Sequence, residues 1–417
     1  MINQPGGFDG PGCAWPEAAP GDRHRVDFCE SGAKAVAEAA PKARIDDAFF
    51  AEHSLADLRD RFDYWLGRAG RLTRPMIKHP GGTHYEPITW TAALCEIARQ
   101  LRGLANPNQA VFYTSGRTSN EAAFLYQLMA RSFGTNNLPD CSNMCHEPTS
   151  FALERAIGIG KGSVRLEDFA VADVIVVAGQ NPGSNHPQML TTLESAKRAG
   201  AKIIAINPLP EAGLLRFKNP QRLRGLIGHG TALADIHLPI RLGGDHALFQ
   251  LWNRLLIERN DRHPGTIDEA FINQHTSGYD ALVAHLRNTD PAALQSATGL
   301  DHADITDAFE IIAGAKRLIV CWAMGITQHL DAVDTISEIT NLTSPSSAAT
   351  SGDQAPDCAR YVDTATSKAT ARWASSNARN PNSSTHSKPS SSSTCPATMA
   401  STPLMLFAPL PTTMPES

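Results

Sequence analysis

Two short apolar segments separated by a helical segment place the strongest constraint on the fold of this chain. Residues 173–178 and 202–206 are almost wholly apolar, and residues 189–199 between them have the pattern of a helix. Strands that are buried on both faces appear in a sequence as continuous apolar runs. The pattern therefore predicts a right-handed βαβ unit, and with it an α/β fold built on a parallel sheet.

Polar loops follow both predicted strands. Residues 179–187 come directly after the first strand, and Asn207 and Pro208 come after the second. Ligands of parallel sheets bind beyond the carboxyl ends of the strands, so both loops are candidates for a ligand site. The alternative is a pair of ordinary turns, because Asn, Gly, Pro and Ser are common in turns for local reasons. The spacing also differs from the Gly-x-Gly-x-x-Gly fingerprint of dinucleotide-binding loops.

Other segments extend the α/β pattern along the chain. Residues 90–101 carry apolar side chains at helical spacing, and residues 111–114 predict a short buried strand. A polar loop then leads into a predicted helix over residues 120–133, an arrangement that directs backbone N–H groups toward an anion. Residues 234–245 predict a strand and a turn, and residues 315–339 predict a last strand, a polar loop and a helix.

Cys145 and His146 set a thiol beside an imidazole, in a predicted loop that Pro148 closes. Thiolates bind soft metals, and imidazole transfers protons near neutral pH. The pair therefore indicates a metal or catalytic site. One alternative is a buried structural thiol next to a solvated histidine. Another is a cysteine-dependent hydrolase, which needs a base and an oxyanion site in the correct geometry.

A glycine-rich segment over residues 158–163 has the composition of a phosphate-binding loop. A Walker A loop requires Gly five residues before the Gly of its Gly-Lys pair, and Ser or Thr directly after the Lys. Arg155 and Gly162 occupy those two places. The segment is therefore interpreted as a turn.

Composition excludes several classes of protein. With 417 residues, of which 42% are hydrophobic, the chain can form a sizeable core in two or three domains. A formal net charge of −5 argues against nucleic acid as a partner. The sequence carries neither a signal-peptide pattern nor an apolar segment of the roughly 20 residues that a membrane helix requires. Eight cysteines without regular spacing predict reduced thiols and metal ligands, and hence a cytoplasmic location.

These segments together resemble the molybdopterin oxidoreductases, and among them the formate dehydrogenase-like bacterial branch of alpha subunits. The resemblance rests on the Cys145–His146 segment, on residues 120–133 and on the segments from residue 173 to Leu342. It implies a Rossmann-like α/β fold with a bound bis-molybdopterin guanine dinucleotide and a 4Fe-4S cluster. It further implies that Cys145 ligates molybdenum and that His146 takes a proton from a small substrate such as formate, with an electron-transfer subunit as partner.

The same resemblance implies which loops hold the phosphates and the guanosine of the cofactor. These loops begin helices or follow strands, and several are rich in Gly and Asn. The expected cofactor contacts are Gly116, Arg117, Asn120, Gly179, Asn181, Pro182, Ser184, Asn185, His186, Asn207, Pro208, Gly243 and Asp245.

The N-terminal segment resembles the iron-sulfur segment of this branch but lacks one of its cysteines. Cys13 and Cys29 are the expected cluster ligands, whereas Gly10 stands where the branch carries a further cysteine. Glycine has no side chain to ligate iron, so the cluster is predicted to be labile or lost. The alternative is that both cysteines are buried free thiols. Lys34 corresponds to the lysine between the cluster and the pterin, unless it is a surface lysine.

The composition changes abruptly to Ser, Thr, Ala and Pro after Leu342, and the tail cannot form a core of its own. The Pro-Val-Arg-Gly segment of the family is absent, and we interpret the tail as the product of a reading-frame shift. The alternatives are a genuine disordered linker and a truncated, inactive cofactor-binding fragment. The predicted domains are an iron-sulfur-type, loop-rich cap (1–70), a first α/β portion (71–165), a Rossmann-like cofactor-binding portion (166–342) and a disordered tail (343–417).

Overall fold

The computed structural model of the protein describes residues 41–114, 118–139, 141–220, 230–343 and 360–363, together with single positions between and before them. Residues 41–114 and 118–139 belong to one unit, which we call the helical unit. Trp15 and the described residues from 141 onward belong to a second, which we call the sheet unit. The single positions are Trp15, Ala37 and residues 222, 225 and 228.

Short helices and two-residue strands make up the helical unit. In it β1 pairs in parallel with β2, and β3 pairs antiparallel with β4. Its elements in chain order are β1 (Arg44–Ile45), α1 (Asp47–Glu52), α2 (Leu55–Arg59), α3 (Asp63–Ala69), β2 (Arg71–Leu72), β3 (Met76–Ile77), β4 (Glu86–Pro87), α4 (Trp90–Arg102) and α5 (Asn120–Phe133).

Both long helices of the helical unit were predicted, and their caps explain their boundaries. The Thr89 hydroxyl accepts a hydrogen bond from the backbone N–H of Ala92 at 3.2 Å and begins α4. At α5, Ser119 caps the start, and Gly134 ends the helix with a left-handed φ of 104°. Side-chain caps of this kind satisfy N–H groups that have no partner within the helix.

The predicted strand over residues 111–114 is wrong, because these residues form no strand in the structure. Phe112 is buried, but its neighbours Val111 and Tyr113 are exposed. The Phe112 N–H donates to the carbonyl of Asn137 at 2.9 Å. A run of four residues is too short for its apolar content to distinguish a strand from an irregular segment with one buried ring.

The sheet unit alternates strands and helices, as the sequence predicted. The helices differ widely in length, and the two four-residue helices after β5 and β8 lie in the predicted polar loops. Its elements are α6 (Cys141–Ile157), α7 (Asp168–Val171), β5 (Val174–Ala178), α8 (Pro182–Asn185), α9 (Pro187–Ala199), β6 (Lys202–Ile206), α10 (Ala212–Leu215), β7 (Ile236–Leu238), α11 (Asp245–Arg262), α12 (Glu269–His275), α13 (Tyr279–Arg287), α14 (Pro291–Thr298), α15 (His302–Ala313), β8 (Leu318–Trp322), α16 (Met324–Thr327), α17 (Ala332–Thr343) and β9 (Arg360–Asp363).

Five parallel strands form the sheet in the order β7-β6-β5-β8-β9. Val174 at the start of β5 lies opposite Lys202 of β6 and Leu318 of β8, so the three central strands run in register. This arrangement confirms the predicted α/β fold with a parallel sheet. Because the strands are parallel, the loops after β5, β6, β7 and β8 all leave from one edge, which we call the carboxyl edge.

Two hydrophobic cores cover the two faces of the sheet, which explains why its strands are apolar throughout. Val176 and Val320 face a core formed with α11, α15 and α17. Val177 and Cys321 face the other core, which includes Leu193 of α9. Successive side chains of a strand point to opposite faces, so both sets of positions must be apolar when helices cover both sides.

The edge strand β9 was not foreseen from the low-complexity composition of the tail. Arg360 and Tyr361 lie opposite Ile319 and Val320 of β8, in a parallel pairing that continues to Asp363. Tyr361 and Val362 are residue types that favour strands. The other residues of the predicted tail beyond Thr343 lie outside the described part of the chain.

Candidate functional site

The loops after β5 and β8 meet at the carboxyl edge through two glycines. The Gly325 N–H donates to the carbonyl of Gly179 at 3.0 Å. Gly179 has a left-handed φ of 58°. A Cβ added to Gly179 would lie 2.7 Å from the carbonyl carbon of Gly325, and one added to Gly325 would lie 2.5 Å from the Cα of Gly179. The close approach of the two backbones therefore requires glycine at both positions.

One backbone hydrogen bond and two that involve side chains also hold the segments after β5 and β6 in place. The Gly179 N–H donates to the carbonyl of Ile206 at 2.9 Å. The Asn207 amide donates to the carbonyl of Gln180 at 3.0 Å, and the His237 Nε2 lies 3.1 Å from the carbonyl oxygen of Asn207. The structure thus brings together Gly179 and Asn207, two of the expected cofactor contacts.

Asn181 holds the loop after β5 in place with both the oxygen and the nitrogen of its side-chain amide. Its carbonyl oxygen accepts from the backbone N–H of Ser184 at 3.1 Å, which caps α8. Its amide nitrogen donates to the carboxylate of Glu211, in the connection after β6. Asn181 therefore links two of the loops at the carboxyl edge.

The remaining expected contacts in these loops differ in exposure. Ser184, Asn185 and Pro208 are exposed, whereas Pro182 and His186 are buried. The Nδ1 of His186 lies 3.3 Å from the amide nitrogen of Gln180, which is also buried. His186 is therefore part of the support beneath the loop, and the exposed side chains are those that can reach a ligand.

The Cys145–His146 pair lies in the first half of helix α6, not in a loop as predicted. Pro148 lies inside this helix. Proline in a helix interior removes one N–H donor, so local sequence reasoning favoured a loop. Cys145 has an intermediate exposure, while His146 is buried with an exposed fraction of 4%.

Side chains that follow β8 contact the backbone of the Cys145 turn. The hydroxyl of Thr327 donates to the carbonyl of Cys145 at 2.5 Å. The amide of Gln328 donates to the carbonyls of Met144 at 3.0 Å and Cys145 at 3.2 Å. These bonds join the turn that carries the thiol to the carboxyl edge of the sheet.

A buried hydrogen bond fixes α6 against the end of β8. The indole N–H of Trp322 donates to the hydroxyl of Thr149 at 3.0 Å, and both side chains are fully buried. We expect Thr149→Val to lower the free energy of unfolding by about 1–3 kcal/mol, because the buried indole N–H loses its hydrogen bond to the Thr149 hydroxyl. Urea denaturation measures this loss. Thr306→Val is the control, since the Thr306 hydroxyl bonds a carbonyl at an exposed site; equal losses in both variants would contradict the prediction.

Asp245 begins α11 and is a buried carboxyl group near the carboxyl edge. Burial raises its pKa to about 6, an effect that the charge of His329 and the backbone N–H of Asp245 oppose and that Asp331 reinforces. His329 and Asp331 lie in the connection between α16 and α17. Gly243, two residues before Asp245, is exposed and has a left-handed φ of 80°.

Several expected site residues lie outside the described part of the chain. They are Cys13, Cys29, Lys34, Gly116 and Arg117. Asn120 is described and is exposed at the start of α5, in the helical unit.

The other described cysteines differ in state from Cys145. Cys321 is fully buried in the core, and this burial raises the pKa of its thiol, so the reactive thiolate does not form. Cys95 is disulfide-bonded, so the prediction that the cysteines are reduced is wrong at this position.

Some residues at the carboxyl edge escaped the sequence analysis. Glu211 and His237 hold loops that were predicted, but nothing in their spacing indicated their partners. Thr327 and Gln328 were recognised only as members of a polar loop after the last predicted strand. Contacts of this kind depend on the order of strands in the sheet, which a single sequence does not encode in a readable pattern.

The described residues hold neither a multidentate metal cluster nor a membrane helix. Among them, no three His, Cys, Asp or Glu side chains are close enough to bind a metal ion together. None of the helices described has the length and apolarity to cross a membrane. The partly exposed Cys145 thiol offers one soft ligand, and the loops at the carboxyl edge offer polar groups. This set suits a metal that arrives within a larger cofactor and takes a single ligand from the protein.

Comparison with known proteins identifies the family. The family model for molybdopterin oxidoreductases matches residues 71–372, a range that includes the whole described sheet and continues beyond Leu342. The chain belongs to the molybdopterin oxidoreductase family. Membership of this family implies a molybdenum-pterin cofactor, and the earlier resemblance to the family is confirmed.

Relatives of this family member include uncharacterized and characterized proteins. The uncharacterized oxidoreductase Rv2900c of Mycobacterium tuberculosis is 55% identical over 342 residues, which are 82% of this chain and 44% of that protein. Protein YdeP of Escherichia coli is 46% identical over 347 residues, covering 82% of this chain and 46% of YdeP. Formate dehydrogenase H of Escherichia coli is 29% identical over 277 residues, covering 65% of this chain and 36% of that enzyme.

A solved structure supports the fold of this family member. The acetylene hydratase from Pelobacter acetylenicus matches with a TM-score of 0.50 and 19% sequence identity, covering 64% of this chain and 34% of that chain. The likeness concerns the fold alone. The chain spans less than half the length of the curated relatives it matches, at 44% of Rv2900c and 46% of YdeP.

Proposed function

We propose that this chain is the cofactor-binding part of a cytoplasmic oxidoreductase that uses a bis-molybdopterin guanine dinucleotide to oxidise a small anionic substrate such as formate. The observation that carries the proposal is the position of Cys145. It is a partly exposed thiol on a turn that is hydrogen-bonded to the carboxyl edge of the sheet. In parallel sheets this edge is where ligands bind.

The loops at the carboxyl edge would hold the nucleotide part of the cofactor. Ser184, Asn185 and Pro208 present exposed groups, and Asn181 and Asn207 fix the loops from which they project. Asp245 supplies a buried carboxyl at the start of α11, and Gly243, two residues earlier, has no atom within 4 Å of the position of a Cβ. Gly116, Arg117 and Asn120 are proposed as further contacts.

Cys145 and His146 would carry the chemistry. The Cys145 thiolate would be the single protein ligand to molybdenum, and the bound cofactor supplies the acceptor for two electrons. Oxidation of formate to carbon dioxide releases one proton, which the buried imidazole of His146 is proposed to accept. Burial of His146 separates this proton from bulk water, a condition that favours controlled proton transfer.

Electrons would leave one at a time through a 4Fe-4S cluster held by Cys13 and Cys29, with Lys34 between the cluster and the pterin. An electron-transfer subunit would receive them. Gly10 supplies no thiolate, so the cluster is proposed to be labile. This absence favours a second candidate function, in which the protein binds the cofactor without turnover.

The test is to produce the full chain in a host that makes the cofactor, and to measure bound molybdenum, guanine nucleotide and formate-dependent reduction of a viologen dye. We expect stoichiometric molybdenum and nucleotide, and a loss of turnover of more than about 100-fold in Cys145→Ala. Met144→Ala, which alters an exposed side chain one residue away, is the matched control. Absence of both molybdenum and nucleotide would overturn the proposal. Bound cofactor without turnover in the parent chain would support the second candidate.

A further inference from the structure

Pro148 leaves one carbonyl of α6 without its usual partner in the helix. In an α-helix, the N–H of each residue donates to the carbonyl four residues earlier. Proline has no N–H, so the carbonyl of Met144 receives no such bond from position 148. Met144 is the residue directly before Cys145. An unpaired carbonyl at this point would weaken the turn that carries the thiol.

The amide of Gln328 supplies the missing donor. Its Nε2 lies 3.0 Å from the carbonyl oxygen of Met144 and 3.2 Å from that of Cys145. The hydroxyl of Thr327 adds a second bond to the Cys145 carbonyl at 2.5 Å. Two adjacent side chains therefore bond the two consecutive carbonyls on either side of the Cys145 backbone.

These donors have little freedom to move. Thr327 is buried, with an exposed fraction of 3%, and it ends α16 directly after β8. The backbone N–H of Gln328 donates to the carbonyl of Met324 at 3.1 Å. Gly325 in the same short helix is bonded to Gly179. The donors are thus built into the carboxyl edge where the loops after β5 and β8 meet.

We propose that Thr327 and Gln328 are positioning residues that set the orientation of the Cys145 thiol, and that Gln328 does so by replacing the hydrogen bond that Pro148 removes. Neither side chain takes part in the chemistry. The catalytic meaning of this arrangement rests on the proposed function, in which the thiol must point toward the metal. The arrangement itself can be tested without cofactor.

A substitution at Pro148 distinguishes this role from general support of the fold. In Pro148→Ala the helix regains an N–H that can donate to the Met144 carbonyl. If Gln328 replaces that bond, Pro148→Ala will repair the defect of Gln328→Leu. It will not repair Thr327→Val, because the hydroxyl of Thr327 donates to the carbonyl of Cys145. In the helix, the N–H at position 148 donates to the carbonyl of Met144 instead.

The first readout is local and needs no metal. The full chain is prepared from molybdenum-depleted cells, and the alkylation of Cys145 by iodoacetamide and the amide exchange of the peptide around it are followed by mass spectrometry. We expect both rates to rise about five- to tenfold in Gln328→Leu and in Thr327→Val, the change that corresponds to one lost hydrogen bond. In the double variant Gln328→Leu/Pro148→Ala both rates should return to within about twofold of the parent.

Thr335→Val is the matched control. The hydroxyl of Thr335 also donates to a carbonyl, that of Asp331 at 3.1 Å, and its side chain is as buried as that of Thr327. A general loss of stability will appear equally in this variant, and its melting temperature measures that loss. Equal effects of Thr335→Val and Thr327→Val on Cys145 would overturn the proposal, as would failure of Pro148→Ala to repair Gln328→Leu.

The second readout is the electron paramagnetic resonance signal of molybdenum(V) in the loaded chain. We expect Gln328→Leu to shift or broaden this signal at unchanged molybdenum content, and the double variant to restore it. Loading that fails in the parent chain contradicts the proposed function, while the alkylation and exchange rates still decide the positioning role. An unchanged signal in Gln328→Leu would overturn the positioning role and leave the proposed function intact.

Discussion

Gly179→Ala is expected to lower the free energy of unfolding by about 2–4 kcal/mol, from two separate causes. Gly179 has a left-handed φ of 58°, a conformation that costs about 1 kcal/mol or more for a residue with a Cβ. The new Cβ would also lie 2.7–2.9 Å from backbone atoms of Gly325 and Ile326. Backbone cannot rotate away as a side chain can, so this overlap adds about 1–3 kcal/mol.

Gly158→Ala separates the two causes. Gly158 has a comparable left-handed φ of 76°, but no atom lies within 4 Å of the position of its Cβ. This control should therefore lose only the conformational part, about 1 kcal/mol. Urea denaturation of the two variants gives the difference directly. A loss in Gly179→Ala no larger than that in Gly158→Ala would mean that the loops after β5 and β8 do not pack as closely as the structure describes.

The central strands could be predicted because their burial on both faces produces continuous apolar runs in the sequence. The runs Val174–Ala178 and Lys202–Ile206 are apolar at nearly every position because helices cover both faces of the sheet. No amphipathic helix or surface strand produces such a run. The polar loops that follow them were predicted for the same reason, since a parallel sheet exposes its carboxyl edge to ligands.

The helical conformation of the Cys145 turn could not be predicted, because its support comes from distant residues. Pro148 locally disfavours a helix. The donors that compensate, Thr327 and Gln328, are more than 180 residues away in the sequence. Sequence spacing gives no indication that a loop after β8 will lie over the first half of α6. Local propensity was therefore overruled by tertiary hydrogen bonds.

The edge strand β9 could not be predicted for a related reason. Its four residues lie in a segment whose overall composition is that of a low-complexity chain. The pairing with β8 is decided by the free edge of a strand that is itself buried, and not by the average composition around Arg360–Asp363. Composition describes a window of many residues, whereas an edge strand requires only a few.

Asp245→Asn is expected to stabilise the protein at pH 8 by up to about 3 kcal/mol and to have little effect at pH 4. Burial, assisted by Asp331 and opposed by His329, raises the pKa of Asp245 to about 6 from the value of 3.8 in an unfolded chain. Well below pH 3.8 the carboxyl is protonated in both states, so its burial carries no ionisation cost. Between pH 4 and 6 the unfolded state ionises first, so folded stability falls. Above pH 6 the full cost of about two pKa units remains.

Asp173→Asn is the matched control, because the pKa of Asp173 is shifted in the opposite direction, downward. Burial tends to raise the pKa of Asp173, but hydrogen bonds from Arg317 and Lys316 and the charge of Arg317 outweigh it and lower the pKa. Ionised Asp173 therefore contributes stability at neutral pH that is lost as the pH falls, and Asp173→Asn should destabilise the protein at pH 8. Urea denaturation of both variants at pH 4 and pH 8 measures the two effects. Destabilisation by Asp245→Asn at pH 8 would contradict the buried-carboxyl assignment.

The loss of stability that ionised Asp245 causes points to a function for this carboxyl. A buried carboxylate whose pKa is raised lowers the stability of the folded protein, so Asp245 is a candidate for a role in binding. The carboxyl lies at the start of α11, near His329 and Asp331 of the connection that follows Gln328. A ligand with hydrogen-bond donors at this point would offset the burial cost and return the pKa toward its ordinary value. If the proposed nucleotide cofactor is that ligand, we expect the stabilisation in Asp245→Asn to vanish, or to reverse, in the loaded protein, and the pH series repeated on the loaded protein tests that reversal.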